Sequence, residues 1–395
     1  MKNFLILGVA LSCVMACTSN EAAPPAKMGT EVETAAPAIP SNATALERYE
    51  PLGLVKGGER ALESDAGARL SNPEELFEDA ISYAEATQSY ALLIWHDGAL
   101  QLEKYFDPHT SDIRAESASM HKSVLGLVTT KALADGKIES VDTPISKWIT
   151  EWESDPRGDI TLRQLLTMSA GLTPLSYEGG VDSPAVRFAN GDVDPVETLL
   201  NLPDEGFHGD HFHYQNTVSQ LLMLVVERAL GEPYADYLSR EIWQPLGAAD
   251  AFTHDYSELG FSRGYAAFLA RPLDWLRLGL LVKDGGTFER KEIIPSEFVE
   301  RMIAPSALNP NYGWQIWRGA TFEAERYYNE EKAGFAALAS EPFLTDDMLY
   351  FDGFGGQRVY ISRSEDLVIV HLGDTQFDWD DARLPNAVIR ALHAE

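Results

Sequence analysis

The sequence contains little cysteine and, after its first sixteen residues, no long apolar run. Its two cysteines, Cys13 and Cys17, lie near the N-terminus, so the remaining chain has no disulfide and no thiol nucleophile. The longest later apolar stretch, residues 221–226, is far too short to cross a bilayer. Disulfide scaffolds, cysteine hydrolases and membrane-spanning helices are therefore excluded for the body of the chain.

Basic residues are also scarce. The 395 residues include 31 Lys plus Arg against 61 Asp plus Glu, a formal charge of -30, which argues against a nucleic-acid partner. With 45% hydrophobic and 10% aromatic residues the chain is not disordered, collagen-like or a coiled coil. Its length favours one elaborated domain or two tightly joined lobes, and the acidity predicts a well-solvated surface.

Residues 1–16 are typical of an export signal, with Lys2 ahead of an apolar run too short to span a membrane. The following step, Val14-Met15-Ala16-Cys17, resembles a bacterial lipobox, which predicts cleavage before Cys17 and lipidation of that residue. Ordinary signal cleavage at the same bond remains the alternative. Either reading predicts an exported protein.

Residues 17–45 are rich in Ala, Pro and Thr and predict a flexible tether. The residue after Cys17 is Thr18 and not Asp, and an Asp at that position would resemble an inner-membrane retention signal. We therefore expect a cell-envelope lipoprotein, on the periplasmic face of the outer membrane.

From residue 46 the pattern predicts one α+β catalytic domain. Strands at 90–96 and 99–106 flank the turn Asp97-Gly98, and strands at 357–362 and 367–372 flank a second polar turn. Helices are predicted at 120–134, 161–168, 217–230, 272–282 and 385–393. We expect an antiparallel sheet lobe from about 46–120 and 286–395, an inserted helical lobe at about 121–285, and a site in the cleft between them.

The sharpest chemical signal is Ser119-Met-His-Lys122 at the start of an apolar helix. A spacing of three places both side chains on one helix face. A desolvated lysine is a base able to activate a serine hydroxyl, and this predicts a nucleophile and its partner. A capping serine followed by a surface lysine is the structural alternative.

A second signal is Tyr214-Gln-Asn216, directly before another helix. A tyrosine beside a lysine ammonium is expected to have a lowered pKa, so that Tyr214 would act as base and then as acid. Asn216 would orient the lysine and bind a substrate carbonyl or amide. Packing for Tyr214 and helix capping for Asn216 remain open.

The third signal is Gly353-Phe-Gly-Gly-Gln357, which leads into a strand. Glycine at a strand edge lets backbone approach a ligand closely, and a free N–H there would join the Ser119 N–H in an oxyanion hole. A Gly-rich turn without a ligand is the alternative.

In this order the three motifs resemble the serine β-lactamase and penicillin-recognising superfamily, closest to class C β-lactamases, related esterases and 6-aminohexanoate-dimer hydrolases. Segments 160–172, 242–247 and 270–279 are also similar to that family. The resemblance implies a β-lactamase/transpeptidase-like fold, Ser119 as acylated nucleophile, and Lys122 with Tyr214 as the proton-transfer pair. It further implies Asn216 as orienting group and the Phe354 N–H as oxyanion donor, with no metal or organic cofactor.

The chain departs from the family where β-lactamases and DD-peptidases carry a cation, a small polar residue and glycine. Here the residues are Phe351-Asp352-Gly353, and Phe351 cannot bind a substrate carboxylate. We therefore expect a small ester or linear amide substrate. A β-lactamase or DD-peptidase is the alternative enzyme, and a non-catalytic penicillin-binding or cell-wall-sensing lipoprotein is the alternative of another class.

The remaining candidates concern the pocket and two competing motifs. Gly353 and Gln357 are expected on the substrate-binding side, and Trp314 or Trp317 as the wall of an apolar acyl pocket. Gly260-Phe-Ser262-Arg-Gly264 matches a nucleophile elbow, but the preceding segment is polar where an elbow needs an apolar strand. Residues 208–213 contain three histidines and an aspartate, a weak zinc signal, and His121 is expected to be structural.

Overall fold

A computed structural model describes residues 46–257 and 260–394. The predicted signal, the predicted lipidation site Cys17 and the predicted tether lie outside these residues. Within the described ranges, no helix combines the length and apolar character that a membrane crossing needs.

Helices and strands alternate irregularly along this part of the chain. The helices are α1 (Pro73–Leu76), α2 (Glu78–Ala86), α3 (Met120–Ala134), α4 (Leu162–Leu166), α5 (Pro184–Asn190), α6 (Pro195–Leu200), α7 (Asn216–Leu230), α8 (Tyr234–Leu238), α9 (Pro272–Lys283), α10 (Ser296–Ile303) and α11 (Arg383–Ala394). The strands are β1 (Leu52–Val55), β2 (Ser89–His96), β3 (Ala99–Tyr105), β4 (Ala251–His254), β5 (Phe268–Leu269), β6 (Thr287–Phe288), β7 (Lys291–Glu292), β8 (Trp317–Arg318), β9 (Glu325–Tyr327), β10 (Ala336–Leu338), β11 (Leu349–Gly353), β12 (Gln357–Ser362) and β13 (Leu367–Gly373).

The main sheet is antiparallel and has the order β3-β2-β13-β12-β11-β8. Both predicted hairpins are present, as β2–β3 and β12–β13. The pairing of β2 with β13 joins strands from the two ends of the domain, so the predicted sheet built from both ends is confirmed. The α+β architecture is therefore also confirmed.

Helix α3 is the central helix of the domain. Apolar residues lie on every side of it, and thirteen of its fifteen residues are buried, as expected of a helix without a polar face. It contacts β11 of the sheet as well as α7 and α10. It ends at Ala134 with Asp135 as its C-cap, and Gly136 follows with φ +69°, a conformation that glycine adopts without strain. The predicted end of this helix is correct.

Two details differ from the predicted lobes. Helix α9 packs on β2, β12 and β13, and a Cβ at Gly279 would lie 2.5 Å from Val368 Cγ1, so glycine permits this close helix–sheet contact. The limit of the helical lobe at about residue 285 is therefore too late. The inserted region also carries β4 and β5, which form a second small sheet with β1.

Candidate active site

The nucleophile turn precedes α3. Ser119 occupies the N-cap position, but its side chain makes no capping hydrogen bond, and the residue is partly exposed to the cleft. Its hydroxyl is therefore available for chemistry. Ala118, immediately before it, has φ +48°, a left-handed conformation that is unfavourable for any residue except glycine. Backbone strain is thus located next to the candidate nucleophile.

Lys122 lies one turn further along the same face of α3. Its Nζ donates hydrogen bonds to Ser119 Oγ (2.8 Å), Asn216 Oδ1 (2.9 Å) and Tyr265 O (3.1 Å). These three acceptors match the three N–H bonds of an ammonium group. When the amine is neutral, its lone pair is free to accept the Ser119 hydroxyl proton.

The Lys122 side chain is 2% exposed. Burial lowers its pKa to about 7, against the charges of Asp352 and Glu116, which raise it. All three of its hydrogen-bond acceptors are uncharged groups, so no direct ion pair restores the ordinary pKa of the amine. A lysine that titrates near neutral pH is suited to general base catalysis.

Tyr214 lies across from Lys122, whose Nζ is 4.7 Å from the centroid of the tyrosine ring. Burial raises the pKa of Tyr214 well above its ordinary value, and the charge of Asp352 adds to this, while a hydrogen bond with the Ser119 side chain opposes it. The expectation of a lowered pKa is wrong, because desolvation disfavours the phenolate. Tyr214 is a neutral phenol at neutral pH and is suited to donate or relay a proton.

Asn216 is the first residue of α7, and its side-chain oxygen accepts from Lys122. The N-cap of α7 is Gln215, which makes no capping bond and instead donates from Nε2 to Leu172 O at 2.9 Å. The capping alternative for Asn216 is therefore not what the structure shows. The side chain orients the lysine.

The turn between β11 and β12 carries the third motif. Phe354 lines the cleft together with Ser119, and its role as an oxyanion donor stays a prediction. A Cβ at Gly353 would lie 2.4 Å from Ser117 O, so glycine lets β11 approach the nucleophile turn. Gln357 is not part of the cleft lining: it is fully buried and exchanges two hydrogen bonds with the backbone of Gly373.

A buried ion-pair network lies beneath this turn, and sequence reasoning missed it. Asp352 and Asp381 each pair with both Arg326 and Arg358. Burial raises the pKa of Asp352, but Arg358 and Arg326 outweigh burial and hold the pKa below its ordinary value. Arg358 also donates to Gly353 O, which fixes the position of the turn. Asp352 and Arg358 face each other across the β11–β12 hairpin, whereas Arg326 and Asp381 come from other segments, so no local motif reveals the whole network.

The cleft has a volume of about 280 Å³. Its described lining is Ser119, Pro174, Leu175, Tyr177, Ala185, Phe188, Ala189, His213, Tyr214, Gln215, Asn216, Thr217, Tyr265, Tyr328, Phe335, Asp352 and Phe354. This lining is mainly apolar and aromatic, and it includes no Lys or Arg.

Neither Trp314 nor Trp317 is part of this lining, so the prediction that a tryptophan walls the pocket is wrong. Trp314 is 4% exposed and packs against the Arg301 guanidinium, with its ring centroid 5.2 Å from Cζ. Trp317 lies behind Tyr214, with the two ring centroids 5.5 Å apart. Only Trp317 belongs to a strand, so the apparent alternation in the sequence does not describe a longer one.

The elbow serine is not a nucleophile in this arrangement. Ser262 is 1% exposed, donates to Thr253 Oγ1 at 3.1 Å and lies outside the cleft lining. His121 is buried and contacts Ala266 O and the Tyr234 hydroxyl, and burial lowers its pKa to about 4. It is a neutral structural residue, as expected.

The histidines of segment 208–213 have separate partners. His208 contacts Asp204 and His211 contacts Glu330, while His213 lines the cleft, where burial lowers its pKa. In residues 46–257 and 260–394 no group of three or more His, Cys, Asp or Glu side chains is arranged to hold a metal ion.

The chain is similar to known proteins over most of its length. The Beta-lactamase family model matches residues 76–393. The 6-aminohexanoate-dimer hydrolase of Paenarthrobacter ureafaciens is 26% identical over 266 residues, which cover 64% of this chain and 67% of that protein. Esterase EstB of Burkholderia gladioli is 25% identical over 211 residues, or 48% of this chain and 53% of the esterase. The match thus spans about half of the esterase's length.

A solved structure supports the same fold. A Bacillus anthracis protein provisionally classed as a 6-aminohexanoate-dimer hydrolase superposes with a TM-score of 0.69 at 18% identity. The superposition covers 89% of this chain and 92% of that protein. At this identity the likeness establishes the fold and says nothing about the substrate.

Proposed function

Because the chain belongs to the β-lactamase family of serine hydrolases, we propose that it cleaves uncharged carboxylic esters or small linear amides through an acyl-enzyme on Ser119. The observation that carries the proposal is the 2.8 Å contact between Lys122 Nζ and Ser119 Oγ at the edge of an apolar cleft. Two relatives with esterase and amide-hydrolase names are consistent with cleavage of an ester or a linear amide bond.

In the proposed acylation step, neutral Lys122 takes the Ser119 proton while Oγ attacks the substrate carbonyl carbon. The backbone N–H groups of Ser119 and Phe354 would stabilise the oxyanion. Tyr214 then gives its phenolic proton to the leaving alcohol or amine and recovers a proton from the Lys122 ammonium. Water attacks the acyl-enzyme with the same groups in reverse roles, which releases the acid and restores Ser119.

The cleft favours uncharged substrates over β-lactams and peptide C-termini. Phe351, at the position where a carboxylate-binding cation is expected in the family, is fully buried against Trp275 and is not part of the described cleft lining. The described lining has no Lys or Arg that would bind a substrate carboxylate, and burial lowers the pKa of its histidine, His213. Its one acidic residue, Asp352, is paired with two arginines. An anionic substrate would therefore lose its hydration without gaining a partner.

The test is fluorophosphonate labelling of the full-length chain, read by intact mass, beside turnover of short p-nitrophenyl esters, 6-aminohexanoate dimer and nitrocefin. Ser119→Ala should lose labelling and turnover, and Ser262→Ala, the matched control, should keep both. Faster hydrolysis of nitrocefin than of the esters would favour the β-lactamase alternative. A stable penicilloyl adduct without any turnover would favour the non-catalytic penicillin-binding alternative.

We also propose that the protein is exported and anchored by a lipid on Cys17, because Val14-Met15-Ala16-Cys17 resembles a lipobox. Incorporation of labelled palmitate into the wild-type chain expressed in a bacterial host, and its loss in Cys17→Ala, is the expected result. Equal labelling of both chains would contradict the anchor.

A further inference from the structure

Glu116 is a buried carboxylate, three residues before Ser119, that the proposed reaction does not yet use. One of its oxygens, Oε1, accepts hydrogen bonds from two backbone N–H groups, those of Ala118 (2.9 Å) and Ala267 (3.2 Å). Both of these residues have left-handed backbone, with φ +48° and +56°. A strained backbone conformation persists only where surrounding contacts stabilise it. The Glu116 carboxylate makes such a contact with both strained residues.

The two residues that Glu116 holds lie next to catalytic groups. Ala118 directly precedes Ser119, so its conformation sets the position of the Ser119 hydroxyl and N–H. Ala267 is two residues after Tyr265, whose carbonyl accepts from Lys122 Nζ at 3.1 Å. Glu116 therefore joins the nucleophile turn to the segment that binds the lysine.

Neighbouring contacts strengthen this junction. Residues 115–118 run antiparallel to residues 267–270, with a bridge between Ala115 and Ala270. The Phe268 N–H donates to Ser117 Oγ at 3.0 Å. Between these two segments the Ser117 and Glu116 side chains accept backbone N–H bonds that a strand partner's carbonyl would otherwise accept. The two N–H bonds accepted by Glu116 are the ones nearest to Ser119.

Glu116 also faces Lys122 electrostatically. Burial raises the pKa of Glu116, against its two N–H donors and the charge of Lys122, which lower it. The titratable or charged groups that face Lys122 from the packed elements are Glu116, His121, Tyr214, Tyr265 and Asp352. His121 is neutral and the two tyrosines are protonated at neutral pH, so Glu116 and Asp352 are the carboxylates that favour the lysine ammonium.

We propose that Glu116 is a positioning residue with two separable effects: its oxygen fixes the Ser119 turn against the Lys122-binding segment, and its charge adds to that of Asp352 in favouring the Lys122 ammonium. The inference rests on the proposed serine hydrolase function. The inference predicts that two conservative substitutions of Glu116 have different kinetic effects. One keeps the acceptor oxygen and removes the charge, and the other keeps the charge and moves the oxygen.

Glu116→Gln retains an oxygen acceptor at the same position but removes the charge. Loss of a nearby negative charge destabilises the ammonium form, so the acid limb of the kcat/KM profile for p-nitrophenyl butyrate should move to lower pH by about half a unit to one unit. The plateau kcat at high pH should stay within about threefold of the wild-type value, because the N–H acceptor remains.

Glu116→Asp keeps the charge but withdraws the carboxylate by one methylene. The bonds to Ala118 and Ala267 are then lost or lengthened, so kcat should fall about tenfold or more while the acid limb stays in place. The rate of fluorophosphonate labelling should fall in parallel, because it depends on the Ser119 position and not on substrate binding.

Glu227→Gln is the matched control. Glu227 is another largely buried carboxylate that accepts one backbone N–H, from Tyr234 at 3.1 Å, and burial raises its pKa to about 7. It does not contribute to the pKa of Lys122. This variant should leave both the acid limb and kcat unchanged.

The outcomes separate the inference from the function on which it rests. If wild-type turnover does not depend on Ser119, the proposed function fails. If turnover depends on Ser119 but Glu116→Gln leaves the acid limb in place, or Glu116→Asp retains wild-type kcat, the inference alone is overturned. A fall in melting temperature without either kinetic effect would also overturn it.

Discussion

The helical wall and the sheet wall of the cleft differ in how their buried charged groups are paired. On the helical wall Lys122 is a buried amine whose hydrogen bonds go to uncharged oxygens, and its pKa falls to about 7. On the sheet wall Asp352 and Asp381 alternate with Arg326 and Arg358, so each charge has two partners. The buried amine without a direct ion-pair partner titrates near neutral pH, whereas the directly paired charges keep a fixed protonation state and a structural role.

The comparison also explains the division of labour in the site. The helical wall carries the proposed nucleophile and the proposed base Lys122, whose pKa is lowered to about 7, as general base catalysis near neutral pH requires. The sheet wall holds the turn that presents Phe354, through the bond from Arg358 to Gly353 O. Fixed charges suit that task, because the proposed oxyanion hole requires a turn that keeps its position.

The largest expected effect comes from removing the uncompensated charge. Lys122→Met should lower kcat/KM for p-nitrophenyl butyrate about 10³-fold, because the general base is lost. The free energy of unfolding at neutral pH should not fall, because Met removes the cost of burying an amine whose pKa drops from 10.5 to about 7 on folding. Steady-state kinetics and urea unfolding measure the two quantities.

The control lies on the same helix. Lys131 pairs with Asp135 and is partly buried, but it makes no contact with the site. Lys131→Met should keep kcat/KM within about twofold. Comparable losses of kcat/KM in the two variants would mean that a general disturbance of α3, and not loss of the Lys122 amine, lowers the activity.

Removing a compensated charge should instead reduce stability. Asp352→Asn leaves two buried arginines with one carboxylate, and we expect the free energy of unfolding to fall by about 3 kcal/mol, as measured by urea denaturation. It should also move the acid limb of kcat/KM to lower pH, because the Asp352 charge raises the Lys122 pKa.

Asp381→Asn separates these two effects. Asp381 belongs to the same network but does not contribute to the Lys122 pKa, so this variant should lose similar stability with no change in the acid limb. Identical pH profiles for the two variants would contradict the electrostatic role of Asp352.

The pH dependence of stability should also distinguish the two walls. The Lys122 pKa falls from 10.5 to about 7 on folding, so between these values the unfolded chain binds more protons and wild-type stability decreases as the pH falls. The stability of Lys122→Met relative to wild type should therefore increase from about pH 10 to about pH 7 and then level off. Urea unfolding at four pH values tests this, and a constant difference would argue against a lowered Lys122 pKa.

The smallest effect is expected away from both walls. Trp314→Phe removes a buried side chain that lies outside the cleft lining, so kcat/KM values for acetate, butyrate and octanoate p-nitrophenyl esters should stay within about twofold. Phe335→Leu, at a lining residue, should change the relative preference for these esters. A changed preference in Trp314→Phe would restore the sequence-based prediction that this tryptophan walls the pocket.

Local patterns in the sequence were enough to predict the hairpins, the long helices and the Ser119–Lys122 pair. Each depends on residues close together in the chain: a turn between two strands, or a spacing of three on one helix face. The third motif was correctly placed at the start of β12, but the side chain of Gln357 binds the neighbouring strand. A glycine-rich turn indicates that another group packs closely against its backbone, but the sequence does not show whether that group is a ligand or another part of the protein.

What the sequence alone determined is therefore the order of the elements, the α+β class and the residues that could carry serine chemistry, because periodicity and short spacings are local properties. Only the tertiary structure decided the charge states. The raised pKa of Tyr214, the lowered pKa of Lys122 and the Asp352 network all depend on burial and on partners from distant segments. Desolvation of a side chain depends on the packing of the whole domain, so the resulting pKa shifts cannot be derived from any single stretch of sequence.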